Sequence, residues 1–460
     1  MWSIKDYLLS GAIAKLSEDF RITCWVPAPQ LEDTRQLASD VGITGVVFRA
    51  APVVLPSRRF DLVCGFQKSL LFERHDIATE RVMRLRQSGP SVASRSRARR
   101  LAGWLIRALA KSPLAPRLDR ALDRARSRMA QGEHACRELD EVAPDAVFIT
   151  DPVRREFDPL FFEACRRGLR LACLVLSWDN VTAKGRINSG FDRIFTWNDS
   201  MRADVLRLYG DQAPANVQVV GFPRFDIYRN DLPPAFAREP FMRSLGLDPT
   251  RPFILFANGS TRSFRAQPDI VEHLCAALES GELPPGTQLL VRCHPHDDVS
   301  LYRRFRSFAG VVVWPDEERV RGKTLFELPP RADELLTLAA SIRHSAVCVN
   351  PGSTVMLDAS LADVPVVSVS YDGDQQLPYW QSFRSCYAYS HQQQFHVFQA
   401  TEFANDRVEM IRAIHHALRD PAARRPERAR AATHFVGGRS EGSIEKLRTA
   451  LRAMFAEPRA

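Results

Sequence analysis

Ala346–Val369, AVCVNPGSTVMLDASLADVPVVSV, compresses an apolar run, a turn, a helical pattern and a second apolar run into one stretch. Ala346–Val349 has the composition of a buried strand. Asn350-Pro351-Gly352 must turn, and Ser353 or Thr354 can cap a helix carrying Val355, Met356, Leu357, Ala359 and Leu361. A helix that starts at a strand end offers N–H groups without intrahelical partners and the positive end of its dipole, so the unit suits an anion. The same pattern serves in an ordinary βαβ unit, and the rest of the chain must decide between the two.

Outward from this stretch, apolar runs alternate with helical patterns over most of the chain, the mark of an α/β fold with parallel sheets. In the second half strands are expected at 252–260, 287–295, 311–315, 346–354 and 364–371. In the first half they are expected at Ile22–Val26, Gly45–Phe48, Phe60–Cys64, Ala146–Thr150, Leu171–Leu176, Arg193–Thr196 and Val217–Val220. Residues 229–251 are polar and marked by Pro233, Pro234, Pro240 and Pro249, and read as a linker. The expected organisation is two Rossmann-like domains facing a cleft, over 1–228 and 252–402, followed by C-terminal helices in 403–460 near 405–419 and 441–454. Ligands of such folds bind beyond the carboxyl ends of the strands.

Composition places limits on this reading. A hydrophobic share of 45% and a charged share of 25% are those of a soluble globular protein. The nine cysteines are scattered and form no CxxC pair, so reduced buried thiols of a cytosolic protein are expected, without disulfides or zinc. Lys5 and Asp6 interrupt the place where a signal peptide needs an apolar core, and no apolar run approaches the roughly 18 residues of a membrane span. A cytoplasmic protein is expected. The net charge of +9 is concentrated: Arg81–Arg128 has 14 Lys or Arg against Asp119 and Asp123 alone. Trp104, Leu105, Ile106 and Leu109 give that basic insertion an apolar stripe, which makes an anionic membrane surface at the inner face a candidate partner alongside plain solvated helices. Nucleic acid is not expected, because no recognition-helix or aromatic-interleaved motif accompanies the arginines.

Clusters of chemically capable residues follow three of the second domain's expected strands. They are Asn258-Gly259-Ser260-Thr261-Arg262, then Arg292-Cys293-His294-Pro295-His296-Asp297-Asp298, and Gly352-Ser353-Thr354 with Asp358 in the helix beyond. Backbone donors, hydroxyls, a guanidinium and an imidazole suit a diphosphate or phosphate ester. His294 and His296 with the following carboxylates also suggest a metal, but the intervening proline breaks the geometry and no third ligand sits at a familiar spacing. In the first domain Trp178-Asp179-Asn180-Val181-Thr182-Ala183-Lys184-Gly185 follows a strand. Asp179 is the candidate general base, with an Asx-turn or helix-cap role as the alternative, and Asp151 is the second choice. Trp178, Asn180 and Lys184 are the acceptor-side candidates.

From about Ala146 to Leu451 the chain resembles the CDP-glycerol glycerophosphotransferases and related GT-B glycosyltransferases of bacterial envelope polymers. The resemblance is carried by Trp178–Gly185, by Val220-Gly221-Phe222-Pro223-Arg224-Phe225-Asp226, by His294-Pro295, by Gly352-Ser353-Thr354 with Asp358, and by Gly438-Arg439-Ser440-Glu441. The His-Pro pair is shared with bacterial sialyltransferases and Kdo transferases that use CMP-sugars. The resemblance implies a GT-B fold, no metal and no cofactor beyond a nucleotide-activated donor. It further implies donor-phosphate contacts from His294, Ser353 and Thr354 and an acceptor-side base in the first domain. Where the glycerophosphotransferases carry histidine, this chain carries Asp179. The expected activity is transfer of a sugar from a nucleotide-activated donor to a hydroxyl of an envelope glycan or lipid-linked acceptor. The alternatives are CDP-glycerol-type polyol-phosphate transfer, a UDP-sugar 2-epimerase and a non-catalytic membrane-peripheral scaffold.

Overall fold

The structure is a computed structural model that describes residues 2–52, 57–88, 97–130, 132–210, 212–260, 264–437 and 442–457. It divides into two compact units, Met1–Arg224 with Gly442–Ala460, and Phe225–Glu441.

The second unit is a six-stranded parallel sheet made of β7 (Phe253–Ala257), β8 (Gln288–Arg292), β9 (Val311–Trp314), β10 (Val347–Asn350), β11 (Val366–Val369) and β12 (Glu402–Ala404). The order is β12-β11-β10-β7-β8-β9, which in local numbering is the doubly wound order 3-2-1-4-5-6 read from the other edge. The central strands β7 and β10 are buried at every position, as expected for strands covered on both faces. Ile254, Phe256, Leu289, Val291, Val347 and Val349 form the sheet's share of one core with helix residues such as Ile270, Leu274, Met410 and Ile414.

The stretch expected as a linker is built into this unit. Phe241 and Met242 of the helix Arg238–Ser244 are buried, and the Arg238 guanidinium donates to the carbonyls of Pro249, Arg251 and His344 at 3.1, 2.9 and 2.7 Å. Prolines marked the ends of short elements here, and the buried pair was too sparse to give a periodic signal. Further on, an edge strand, β12, and a helix at Arg425–Val436 occupy sequence that read as tail and arginine-rich turns.

The first unit has four strands in one parallel sheet, β3 (Ala146–Ile149), β4 (Arg170–Leu174), β5 (Arg193–Thr196) and β6 (Val217–Val219), in sequential order. A separate parallel ribbon pairs β1 (Thr23–Val26) with β2 (Val47–Ala50). The edges of β1 and β3 are not hydrogen-bonded to each other. Between them lies a cavity of about 600 Å³ lined by both strands and, from the C-terminal helix Ser443–Ala456, by Leu451, Met454 and Phe455. That last helix therefore belongs with the first unit. Its Arg448 pairs with Asp19 at 2.5 Å, Phe455 packs on Phe20, and Arg170 donates to the carbonyl of Glu457 at 2.5 Å.

Phe60–Cys64, expected as a strand, lies inside the helix Arg58–His75. Ser57 caps it by accepting from the Phe60 N–H at 3.2 Å, and Phe60, Cys64, Gln67 and Leu71 recur at helical spacing on its buried side. Short apolar runs cannot be told from helix segments until their neighbours are seen. The basic insertion follows as helices at Ala78–Ser88, Arg97–Lys111 and Ala115–Met129. All nine cysteines are free, and among the described residues no helix is long and apolar enough to cross a membrane.

Candidate functional site

In the strand order of the second unit the topological switch lies between β7 and β10, the two neighbours whose crossovers run in opposite directions. The loops after β7, β10 and β8 leave from adjacent strands, so the three clusters found in the sequence gather at one sheet end. Register makes this concrete. Val349 pairs with Phe256, and Ala257 pairs with Arg292, so all three chains turn at the same level.

Asn350, the last residue of β10, pins its loop. Its side-chain amide donates to the Ala257 carbonyl and to Ser353 Oγ, both at 2.8 Å, while its carbonyl oxygen accepts from the Ser353 N–H at 2.7 Å. Gly352 is left-handed, φ 71°, and a Cβ there would stand 3.0 Å from the Tyr387 ring, so only glycine fits. Gln392 donates to its carbonyl at 2.5 Å. The helix Val355–Ala362 starts directly after, with Thr354 as N-cap by position but without a side-chain cap bond. Gly352, Ser353 and Thr354 are half-buried, and the helix start faces outward from the core. Asp358, by contrast, is wholly buried within the helix.

After β7, Asn258 is buried and donates to Asp297 Oδ2 at 3.3 Å. Gly259 is clasped by Gln267, which accepts from its N–H at 2.6 Å and donates to its carbonyl at 2.9 Å. A Cβ on Gly259 would meet Pro351 at 3.3 Å, so these two loops touch. Ser260 is half-buried at the same place, whereas Thr261 and Arg262 lie outside the described residues.

After β8, the fully buried Asp297 accepts from the backbone N–H of His294 at 3.3 Å, and Asp298 caps the next 3-10 turn by accepting from Ser300 at 3.0 Å. The carboxylates are thus occupied in holding the loop. Among the described residues no group of three or more His, Cys, Asp or Glu is placed to hold a metal ion. His294 Nδ1 accepts the N–H of His296 at 3.2 Å. Burial, reinforced by the neighbouring His296, pushes its pKa down to about 4, so the ring is neutral at physiological pH. An accepting Nδ1 assigns the proton to Nε2, leaving one N–H donor. No described residue takes a hydrogen bond from Nε2. His296 packs at a tilt against Phe326 with ring centroids 4.4 Å apart, and the Phe326 N–H donates to the Pro295 carbonyl at 2.9 Å. Arg292 is separated from this group, its guanidinium lying 4.0 Å from the centre of the Trp314 ring.

In the first unit, Asp179 follows β4 and opens a short helix, Asn180–Ala183, without capping it through its side chain. Oδ1 accepts from Ser177 Oγ at 2.5 Å and Oδ2 faces Lys184 Nζ at 3.4 Å. Trp178 and Asn180 are buried beneath, and Lys184 is exposed. Asp151, at the end of the neighbouring β3, has a buried Oδ1 without a hydrogen-bond partner. Burial pushes its carboxyl up to about 6. Arg154 pulls the other way and the Asp179 charge adds a smaller push upward. Tyr7 and Asp151 both line the cavity between β1 and β3. In the Val220–Asp226 segment, Gly221 is required because a Cβ would stand 2.3 Å from Ser443 Oγ. Gly438-Arg439-Ser440-Glu441 lies outside the described residues.

Sequence reasoning missed Asn350, Gln267, Gln392 and Tyr387, which position the loops. Asn350 stood in the turn and could have been found from its ability to bond backbone on both sides. The other three come from elements distant in sequence.

No protein-family model matches the chain, and no curated protein sequence does. Among solved structures, it is similar to a Listeria monocytogenes protein provisionally assigned as a UDP-N-acetylglucosamine 2-epimerase, with TM-score 0.57, 12% identity, and 100% of this chain and 95% of that one covered. It is similar also to MnaA of S. aureus in a co-structure with UDP, with TM-score 0.53 and 10% identity over 99% and 96% of the chains. A third is the UDP-GlcNAc 2-epimerase of Neisseria meningitidis bound to UDP-GlcNAc, with TM-score 0.53 and 10% identity over 97% of each chain. The fold is accordingly α/β, with two Rossmann-like units of GT-B type.

Proposed function

We propose that this protein is a metal-independent GT-B transferase that moves a glycosyl unit from a nucleotide-activated donor to a hydroxyl of an envelope glycan or lipid-linked acceptor. The observation that carries this reading is the donor set at the switch point of the second sheet. The neutral His294 has a single N–H, and it lies at the sheet end where the Asn258–Ser260 loop and the helix start at Gly352–Thr354 also gather. That set offers hydrogen bonds and a positive dipole end to a diphosphate without a cation to replace. Because His294 is neutral, it stabilises a departing phosphate by donating, not by charge.

On the acceptor side, Asp179 is held in place by Ser177 and Lys184. The raised carboxyl of Asp151 is better matched to taking a proton near neutral pH, because a base works best when its pKa approaches the working pH. Asp151 is therefore assigned the proton and Asp179 the orientation of the acceptor.

A panel of CMP-, CDP-, UDP- and GDP-activated donors tests this by thermal shift and donor consumption, with EDTA in parallel. One nucleotide class should stabilise the protein, EDTA should change nothing, and His294→Ala should weaken binding by about tenfold, the worth of one hydrogen bond. Stabilisation by no nucleotide would remove the enzymatic reading. The epimerase reading has its own support, since the similar structures include proteins bound to UDP and UDP-GlcNAc. Conversion of UDP-GlcNAc to its 2-epimer without any acceptor would establish that reading in place of transfer. Turnover of CDP-glycerol alone would establish polyol-phosphate transfer.

A further inference from the structure

The helix Arg97–Lys111 packs against Arg58–His75 through one face, where Ala110 is buried and Gly103 and Ile106 are half-buried. At 100° per residue, Leu101, Trp104, Leu105 and Leu109 fall on the opposite side. They are 58, 63, 46 and 38% exposed, and Leu114 in the following turn is 56% exposed. The helix thus has two apolar faces, of which the described residues cover only one.

The next helix, Ala115–Met129, sorts its charges. Asp119, Asp123 and Arg126 turn inward. Arg126, which is buried, donates to Asp158 and Asn188 at 2.7 Å each and to Gln67 at 3.1 Å. Gln67 in turn donates to Asp119 and Asp123, and Arg186 pairs with both. Arg117, Arg120, Arg124 and Arg128, spaced three, four and four apart, are exposed and form no ion pair with a described residue. A merely solvated helix intersperses its charges, whereas here every acid is used inside and the outer row is cationic throughout.

We infer that these two helices seat the first unit on an anionic lipid surface, with Leu101, Trp104, Leu105, Leu109 and Leu114 entering the interface and the arginine row meeting the headgroups. A second copy of the chain would bring the arginine row against its own kind, and a nucleic acid would leave the leucines and the tryptophan exposed to water. An anionic bilayer satisfies both halves of the surface. The inference is independent of the nucleotide site.

Sedimentation of the full chain with vesicles tests it, using phosphatidylcholine alone or with about one-third phosphatidylglycerol. Binding is expected only to the anionic vesicles and should be released by high salt. Trp104→Ser with Leu105→Ser, and separately Arg117→Gln with Arg120→Gln and Arg124→Gln, should each weaken binding at least about tenfold, with the thermal midpoint unchanged because these side chains are exposed. Equal binding to neutral vesicles, or undiminished binding by either variant, would overturn the inference. So would a dimer that the Trp104/Leu105 variant abolishes, or tighter binding to a DNA duplex than to the anionic vesicles.

Discussion

Two residues at strand ends are set to unlike protonation states by their surroundings. His294 is kept neutral by burial with its one N–H on Nε2, while the carboxyl of Asp151 is raised to about 6 by burial. If Asp151 takes the acceptor's proton, activity should rise with pH through an apparent pKa near 6. Asp151→Asn should abolish that limb together with turnover, and Asp179→Asn should lower activity while leaving the limb in place. A pH–rate profile of each variant checks this, and a limb that moves with Asp179→Asn instead would return the proton to Asp179. Both aspartates were visible in the sequence as strand-end acids. The surroundings of Asp151 include a cavity lined also by Tyr7 and by β1, far away along the chain, and no spacing rule reaches that far.

The helix that carries Gly352–Thr354 is anchored at its far end. Asp363 ends it in a left-handed conformation and accepts from the fully buried Arg428 at 2.7 Å and from Arg425 at 2.6 Å. Arg428 also donates to the carbonyls of Ala423 and Pro421 at 2.5 and 2.8 Å. Arg428→Leu should cost about 2 kcal/mol, since it strands two part-buried carbonyls and takes one of two arginine partners from the part-exposed Asp363. Denaturant unfolding measures it, and a loss below about 0.5 kcal/mol, as for an exposed surface pair, would refute the anchoring role. Of the elements, those with buried apolar strands and turn-forming loops were legible from their apolar runs, as was the placing of the three clusters behind β7, β8 and β10. Phe60–Cys64 was not, because a short apolar run looks like a strand even where, as here, it winds round a helix and leaves Leu62 exposed. Nor was Arg425–Val436, whose exposed arginines hide the buried Ala431, Ala432 and Phe435.

For the molecule as a whole, three histidines, His75, His294 and His396, are each pushed by burial down to about 4. Between that value and the ordinary 6.5 the unfolded chain binds protons that the folded chain refuses, so folding weakens as pH falls through this window. Asp151 works in the opposite sense, because its raised carboxyl favours the folded state at lower pH. Asp158 is raised likewise, but His344 is lowered with the other histidines and arginine-paired carboxylates such as Glu138 and Asp333 are held low, so the melting temperature should fall from pH 6.5 to 4, and replacing His396 with Gln should flatten the slope. A slope that stays flat in the wild-type protein would contradict these assignments.

The chain leaves the first unit after Arg224 and re-enters it at Gly442, so the second unit is an insertion within the first. Leu447, Leu451 and Met454 of the last helix are buried in the first unit and two of them line its cavity. Units of a protein ordinarily mature in the order they leave the ribosome, N-terminal first. Here that order is interrupted: Phe225–Glu441 has all its strands before Ser443–Ala456 is made, and the first unit gains this helix only afterwards.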